Sequence, residues 1–536
     1  MNLPAHAADE LPFTGPGPAV VAAGKPGGQG AGPVAVLPSC RGWPLFDAAA
    51  SRRIEQAALA AAEPHALMAR AGLGVARLAL AVAPMARRVW VAAGPGNNGG
   101  DGLVAALALH QQGLAVRVSL LGDAARLPAD AAQALAQAQH AGVAINTSVN
   151  AIGLDGTHAD LAIDALLGLG HRRAPEGAIA EAVRQLNELG TQVLAVDLPT
   201  GLCGDTGRLL GSSAVRAQHT LALLTLKPGL FTAQGRDHAG RVWCDALGVG
   251  TSAEPATAGL TGPAVLRRLL PGRAHAQHKG SFGDVLVLGG APGMGGAALL
   301  AARAALSAGA GRVYLARLDG NGAPDPQRPE LMPRSLQEAL DPALLGRATV
   351  VCGCGGGRAV GAVLPAVLQH AARLVLDADA LNAVAADQAL RALLATRSAS
   401  GLPTVMTPHP LEAARLLAID TATLQAQRLM MAQRLAEQWQ SVVVLKGSGS
   451  VIAAPGRVPQ INATGNARLG SAGTGDVLAG WLGGQWAQTT AALGFEAACA
   501  SAWLHGRAAE LGDSRLPLRA ADLIEAMTTA LPAAVR

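Results

Sequence analysis

Arg88-Val-Trp-Val-Ala-Ala-Gly94-Pro-Gly96-Asn97-Asn98-Gly99-Gly100-Asp101-Gly102-Leu-Val-Ala-Ala-Leu-Ala-Leu109 reads as a strand, a glycine-rich turn and a helix. The apolar run before Gly94 is too short for a helix, and the apolar pattern resumes directly after Gly102. A second strand-like run, Ala115-Val-Arg-Val-Ser-Leu-Leu121, follows at the spacing of a βαβ unit. Outward from this core, Asp160–Asp164, Gln192–Asp197, Thr220–Thr225 and Arg241–Cys244 supply further strands, and Asp47 to Val82 supplies one or two amphipathic helices. The expected architecture is a doubly wound, Rossmann-like α/β domain. In such a sheet a ligand lies outside the carboxyl ends of the strands, where Asp101, Asp164, Asp197 and Lys227 would converge.

Gly94, Gly96 and Gly99 satisfy G-x-G-x-x-G, and Asp123 ends the next strand where a ribose-binding acid would stand, which suggests a nicotinamide dehydrogenase. Asn97, Asn98 and Asp101 argue otherwise. They place two amides and a carboxylate where a dinucleotide turn is bare, so the loop itself is expected to react or to hold an ion. Oxygen donors from Asn98, Asp164 and Thr200 suit a hard cation. The competing reading of each strand-end Asp is a helix cap or turn former.

Gly94-Pro-Gly-Asn-Asn-Gly-Gly-Asp-Gly102, Ile163-Asp-Ala-Leu-Leu-Gly168 and Val196-Asp-Leu-Pro-Thr-Gly201 resemble the motifs of the NAD(P)H-hydrate epimerase family, over about Trp43 to Gly250. The resemblance implies that Asn97, Asn98, Gly99, Gly100, Asp101, Gly168, Leu169, Gly170, His171, Arg172, Arg173, Ala174 and Asp197 contact a hydrated nicotinamide nucleotide. It also implies potassium at Asn98, Asp164 and Thr200, with Thr200 standing where Ser is frequent. The family reaction inverts C6 of hydrated NADH or NADPH. Asp197 is the expected proton-transfer group, with Lys227 as electrostatic support.

Thr251 to Pro263 is small, polar and turn-rich and reads as a linker. After it, Ala264–Leu270 is helix-like, and a second strand and helix series begins at Asp284-Val-Leu-Val-Leu-Gly-Gly290. Arg312–Ala316, Ala348–Cys352, Arg373–Asp377, Thr404–Thr407 and Ser441–Leu445 continue it, which predicts a second, mostly parallel α/β domain. Its organising stretch is Gly473-Thr474-Gly475-Asp476. Small residues there run into an apolar helix start, so backbone N–H groups and a helix N-terminus would face an anion beside one carboxylate. Lys446 before Gly447-Ser448-Gly449-Ser450 is a phosphate partner without the P-loop spacing. His409 sits between two prolines, where a structural role competes with a functional one. Cys352-Gly-Cys354 reads as a tight turn using cysteine as a small residue, since no second Cys/His set accompanies it.

In order, His278-Lys-Gly, Leu288-Gly-Gly, Leu376-Asp-Ala-Asp-Ala-Leu-Asn382, Thr407-Pro-His-Pro410, Leu445-Lys-Gly and Gly473-Thr-Gly-Asp476 resemble the NAD(P)H-hydrate dehydratase family, of ribokinase-like fold, over about Pro263 to Leu531. With the epimerase-like half in front, the whole resembles the bifunctional NAD(P)H-hydrate repair family. The resemblance implies nucleotide contacts (ADP, releasing AMP) at Lys446, Gly447, Ser448, Gly449, Ser450 and Gly475. It places the hydrated nucleotide near Ala297, Gly355, His409 and Asp476, with Asp476 as catalytic base and Mg²⁺ shielding the phosphates. Leu411, Gly356 and Ala467–Gly470 depart from the family pattern and bear on the shape of the hydrate pocket.

The resulting division is a disordered tail over 1–42, the epimerase-like domain over 43–250, a linker over 251–263 and the dehydratase-like domain over 264–536. Scattered arginines with no Lys/Arg run, and an aromatic content of only 2%, leave little for base stacking, so nucleic acid is not expected as a partner. No apolar run spans a bilayer and the six cysteines form no disulfide framework, so a cytoplasmic protein is expected. It is further expected to be a homo-oligomer that takes hydrated NADH or NADPH and ADP as small-molecule substrates. Two rivals use the same motifs: a ribokinase-like small-molecule kinase, and a module that binds nicotinamide nucleotides without turnover.

Overall fold

The computed structural model describes residues 32–37, 42–149, 158–251, 253–270, 272–513 and 515–535. The first half contains β1 (Val34–Ala35), β2 (Trp43–Leu45), β3 (Arg88–Ala93), β4 (Ala115–Leu120), β5 (Ala144–Asn146), β6 (Leu161–Ala165), β7 (Gln192–Val196), β8 (His219–Leu223) and β9 (Arg241–Asp245). The remaining strands are β10 (Ala258–Leu260), β11 (Asp284–Gly289), β12 (Arg312–Arg317), β13 (Met332–Pro333), β14 (Thr349–Cys352), β15 (Arg373–Leu376), β16 (Thr404–Met406), β17 (Val442–Leu445), β18 (Ser450–Ala453) and β19 (Gln460–Asn462).

The first sheet has the order β1-β9-β8-β7-β6-β3-β4-β5 and is parallel apart from β1. The chain runs outward from β3 through β4 and β5, then returns to β6 on the other side of β3. The switch point therefore lies between β3 and β6. The central strands read as continuous apolar runs because helices cover both faces. Trp90, fully buried on β3, is tolerated because its indole N–H donates to Ser119 Oγ on β4 at 3.1 Å. The glycines of the following turn are largely packing residues. A Cβ on Gly94 would lie 1.8 Å from Leu166 O, and one on Gly99 would lie 2.0 Å from Gly94 O.

The second sheet has the order β13-β12-β11-β14-β15-β16-β17-β18-β19-β10-β2. It is parallel from β13 to β17, where an antiparallel hairpin to β18 begins. Its switch point lies between β11 and β14. Against it the Gly295–Ser307 and Thr474–Ala487 helices cross in close contact, because Gly480 and Gly484 stand over the Ala301 and Ala305 backbones. A Cβ on Gly480 would come within 2.0 Å of Ala301 O.

Two expectations about boundaries need correction. Within the stretch read as a tail, β1 pairs with β9 and Val36 is fully buried; most of that tail lies outside the described residues. Within the stretch read as a linker, β10 pairs with β19 and with β2, so Trp43–Leu45 completes the sheet of the opposite half. Such short strands are stabilised by their long-range partners, which no local pattern reveals. One hydrophobic core crosses the seam, joining Leu45, Leu226 and Phe231 to Val451, Ile461 and Ala463. No single described helix is long and apolar enough to cross a membrane.

Candidate active sites

The first centre occupies the carboxyl ends of β3, β6, β7 and β8. Asp164 is fully buried, and Thr200 donates to both of its oxygens, the N–H to Oδ2 at 2.8 Å and the hydroxyl to Oδ1 at 2.7 Å. Burial pushes this carboxyl up to about 6, although the donors from Thr200 and Leu166 pull the other way. Thr200 Oγ1 in turn accepts Leu167 N–H at 3.0 Å. Asn98, in the first turn of the Asn97–Gln111 helix, stands beside Gly168, and its Nδ2 is buried without a partner. Asp164 and Thr200 are thus in direct contact, with Asn98 against the next turn.

Asp197 follows β7 with φ +66°, a left-handed conformation that a non-glycine residue adopts only under constraint. Its Oδ2 accepts Leu169 N–H at 3.2 Å and its Oδ1 accepts Leu223 N–H at 3.3 Å. Oδ1 also forms a very short ion pair with Lys227 Nζ, which is buried and donates to Leu223 O at 2.9 Å. Around this pair, Asp101 is pushed well up by burial and then by Asp197 and Glu55. Glu55 lies on the Ala48–Ala61 helix and meets solvent, yet crowding by protein raises it, as does Asp197, while Lys227 opposes. Sequence reasoning missed Glu55, which looks like a residue on a solvated helical face. The sequence carries no local signal for it; in the structure Ser51, one turn earlier, lies with its Oγ 2.8 Å from Thr225 Oγ1 and turns that face toward the Lys227 turn.

The loop after β6 borders this centre. Gly170 has open space where a side chain would stand, Arg172 and Arg173 are exposed, and His171 Nε2 is buried without a partner. Ala174 packs against Gly211. Gly99 and Gly100 are buried under the helix start, and Asn97 is exposed. Asp123 acts as a cap: its Oδ1 accepts Ala125 N–H at 3.0 Å at the start of a short 3₁₀ turn.

The second centre gathers the carboxyl ends of β14 to β17 and the start of the Thr474–Ala487 helix. Asp377, after β15, accepts Lys446 Nζ at 2.7 Å and Thr407 Oγ1 at 2.8 Å, both on Oδ1. Its other oxygen lies 3.9 Å from Cys354 Sγ. Cys354, Asp377 and Asp476 each bring one donor atom within 4.8 Å of the other two. Burial, followed by repulsion from Asp377, pushes Asp476 up to about 6; the Cys354 thiol and Lys446 partly offset this. The Cys354 thiol is held well above the usual range, first by burial and then by Asp476 and Asp377, so it is a neutral donor between two carboxyls. The turn that presents it requires glycine at Gly353 (φ +120°), where a Cβ would lie 1.9 Å from Asp377 O.

Lys446 reaches the start of the helix, its Nζ 3.4 Å from where a Cβ on Gly475 would be. Gly447–Gly449 form the loop of the β17–β18 hairpin, and buried Arg428 supports it from behind through Lys446 O at 3.1 Å. Gly355 and Ala297 meet, a Cβ on Gly355 lying 2.8 Å from Ala297 Cβ. His409 caps the Pro410–Leu417 helix: its Nδ1 accepts Leu411 N–H at 3.1 Å, and Glu412 closes a capping box through Oε2. Burial and the nearby Lys446 charge lower His409. Glu412 is raised to about 7, mainly by burial. Behind the helix start, buried His505 Nε2 bonds to Thr474 O at 2.9 Å and is lowered to about 4 by desolvation. Leu411 and Met294 are exposed apolar side chains near this centre.

Comparison with known proteins fits this arrangement of two centres. Residues 64–229 match the family model described as YjeF-related protein N-terminus, and residues 285–528 match that of NAD(P)H-hydrate dehydratase. The chain is 36% identical to the bifunctional NAD(P)H-hydrate repair enzyme of Escherichia coli, over 85% of this chain and 86% of that protein. It is 37% identical to the corresponding enzyme of Moorella thermoacetica, over 79% and 83%. It is also similar to the ADP/ATP-dependent NAD(P)H-hydrate dehydratase from Bacillus subtilis, at 29% identity and a TM-score of 0.42, covering 51% of this chain and 97% of that one. With both family models matched in order and relatives aligned across most of its length, the chain belongs to the bifunctional NAD(P)H-hydrate repair enzyme family.

Proposed function

We propose that the chain repairs hydrated NADH and NADPH, interconverting the C6 epimers at the first centre and dehydrating the S epimer at the second. The observation that carries this reading is the pairing, in one chain, of the Asp197–Lys227 centre with a carboxyl, Asp476, at a helix N-terminus beside Lys446. At the first centre Asp197 gives and takes the proton during inversion. Lys227 holds Oδ1 and leaves Oδ2, bonded only weakly to Leu169 N–H, as the reactive oxygen. Asn98, Asp164 and Thr200 suit potassium, because Asp164 is a buried carboxylate raised by desolvation and a cation would supply the missing countercharge. Bound there, it would screen negative charge on the nucleotide.

At the second centre Asp476 deprotonates the C6 hydroxyl, which takes a phosphoryl group from ADP. A carboxyl held near 6 is largely ionised at neutral pH and still basic enough to accept that proton. The N–H groups at the helix start and Lys446 face the transferred phosphoryl. Phosphate then leaves C6 with its bonding pair as the ring nitrogen donates its lone pair, and loss of a proton from C5 restores the double bond. Asp377 fits Mg²⁺ as a hard oxygen donor that nucleotide phosphates would complete, Asp476 stays unligated as the base, and the protonated Cys354 does not compete as a ligand. Mg²⁺ would neutralise phosphate charge. The Ser448 hydroxyl, expected on the nucleotide, is instead bonded to Ala233 O at 2.8 Å, which leaves its backbone for that role.

The test mixes both hydrate epimers with ADP and Mg²⁺ and follows recovery of reduced-nicotinamide absorbance. Asp476→Asn should abolish recovery of either epimer. Asp197→Asn should abolish recovery of the R epimer only. Full activity in Asp476→Asn, or phosphorylated product accumulating without elimination, would overturn the dehydratase reading in favour of a kinase.

A further inference from the structure

The turn after β8 serves both halves of the molecule. It opens with Lys227, and the residues that follow, Pro228 to Phe231, are all buried. At its far end Thr232 Oγ1 lies 3.3 Å from both Ser448 O and Gly449 O, donating between them. Ala233 N–H donates to Ser448 O at 3.0 Å, and Ser448 Oγ donates back to Ala233 O at 2.8 Å. Contact is so close that a Cβ on Gly449 (φ +63°) would lie 2.1 Å from Phe231 O. On the opposite side the Arg428 guanidinium lies 2.8 Å from where a Cβ on Gly447 would be. The Gly447–Gly449 loop is therefore clamped between its own domain and the other one.

This clamp orients a specific donor. The C=O and N–H of a trans peptide point in opposite directions. Anchoring Ser448 O on Thr232 and Ala233 turns the Gly449 N–H away from the first half. We infer that the first half shapes the nucleotide loop of the second, with Thr232 as a positioning residue for ADP binding. Thr232 touches no substrate in this scheme and acts through the loop backbone. The inference rests on the reading of Lys446–Ser450 as the ADP phosphate loop.

The experiment measures ADP binding by calorimetry, and dehydratase kcat and KM for ADP, in the full-length chain. Thr232→Val keeps the shape and removes the donor, and should weaken ADP binding and raise KM about five- to tenfold, with kcat at saturating ADP within about twofold. Thr232→Ser should restore wild-type values. Ser448→Ala removes one bond of the clamp from the exposed side, without touching the buried turn or the Ser448 carbonyl, and should weaken ADP about threefold. Unchanged ADP affinity in Ser448→Ala and Thr232→Val, beside a large loss in Lys446→Met, would overturn this inference alone. Unchanged affinity in Lys446→Met would overturn the loop assignment and the inference with it.

Discussion

Replacing Thr200 with Val preserves shape but removes a hydroxyl that donates to Asp164 Oδ1 at 2.7 Å and accepts Leu167 N–H at 3.0 Å. The orphaned Leu167 N–H costs about 1 kcal/mol. The loss at Asp164 has a ceiling, because the carboxyl can take up a proton instead of standing buried with one donor fewer. Its folded value, about 6, is raised above the ordinary 3.8, so its contribution to stability is full below the unfolded value and is lost as pH rises through 6. At pH 7 the proton costs about 1.4 kcal/mol, one unit above 6, and at pH 5.5 almost nothing. Thr200→Val should therefore destabilise by about 2.5 kcal/mol at pH 7 but only about 1 kcal/mol at pH 5.5. In thermal melts these are shifts of roughly 5–10 °C and 2–4 °C for a unit of about 200 residues. Thr200→Ser should stay within about 1 kcal/mol of wild type at both pH values. Potassium, if it binds here, should raise the melting temperature of wild type and not of Thr200→Val. Equal shifts at the two pH values would refute the proton-uptake reasoning, and a shift below about 2 °C at pH 7 would refute the role of the hydroxyl.

Other expectations follow from the same geometry. For dehydration, log kcat/KM should rise with a slope approaching one below about pH 6 and level off above 7, because the Asp476 base must lose its proton; a profile flat between pH 5 and 7 would remove Asp476 from that role. Gly480→Ala should lower stability by about 3 kcal/mol or abolish folding, since its Cβ would meet Ala301 O at 2.0 Å in a crossing between two helices. Gly361→Ala, in the Val360–His370 helix with open space around the new methyl, should instead stabilise by about 0.5–1 kcal/mol; matching melts for the two variants would contradict the packing account.

Long parallel strands and the residues at their ends were legible in the sequence because each carries its signal locally. Val89 to Ala93 and Val285 to Leu288 are buried on both faces and read as apolar runs, and the chain order then places Asp164, Asp197, Asp377 and Lys446 on two carboxyl edges. What escaped depends on partners distant in sequence. Trp43–Leu45 is a strand because it pairs across the seam with Ala258–Leu260, which itself pairs with Gln460–Asn462 on its other side. Cys354 and Cys352 look equivalent in sequence, yet only the thiol of Cys354 is turned between Asp377 and Asp476 by the Gly353 turn. His409 was ambiguous between function and structure. Its ring caps a helix through Nδ1 while Nε2 sits 3.2 Å from Glu412, so capping fixes the ring that the family resemblance places near substrate.

The seam follows from the same non-local pairing. Leu45 pairs with Ala258 in the second sheet and also bridges to Leu226, while Phe46 N–H donates to Leu226 O at 2.8 Å. Leu226 immediately precedes Lys227, and Phe231, four residues further, shares a core with Val451 and Ile461. Two domains joined only by a flexible tether would carry no such contacts, and each would tolerate movement of the other. Here the lysine of the first centre and the clamp on the Gly447–Gly449 loop of the second sit at opposite ends of one buried turn. Thr251 to Pro263 therefore cannot act as a free hinge while β10 remains paired, and displacement of that turn would disturb the Asp197–Lys227 pair and the Ser448 carbonyl together.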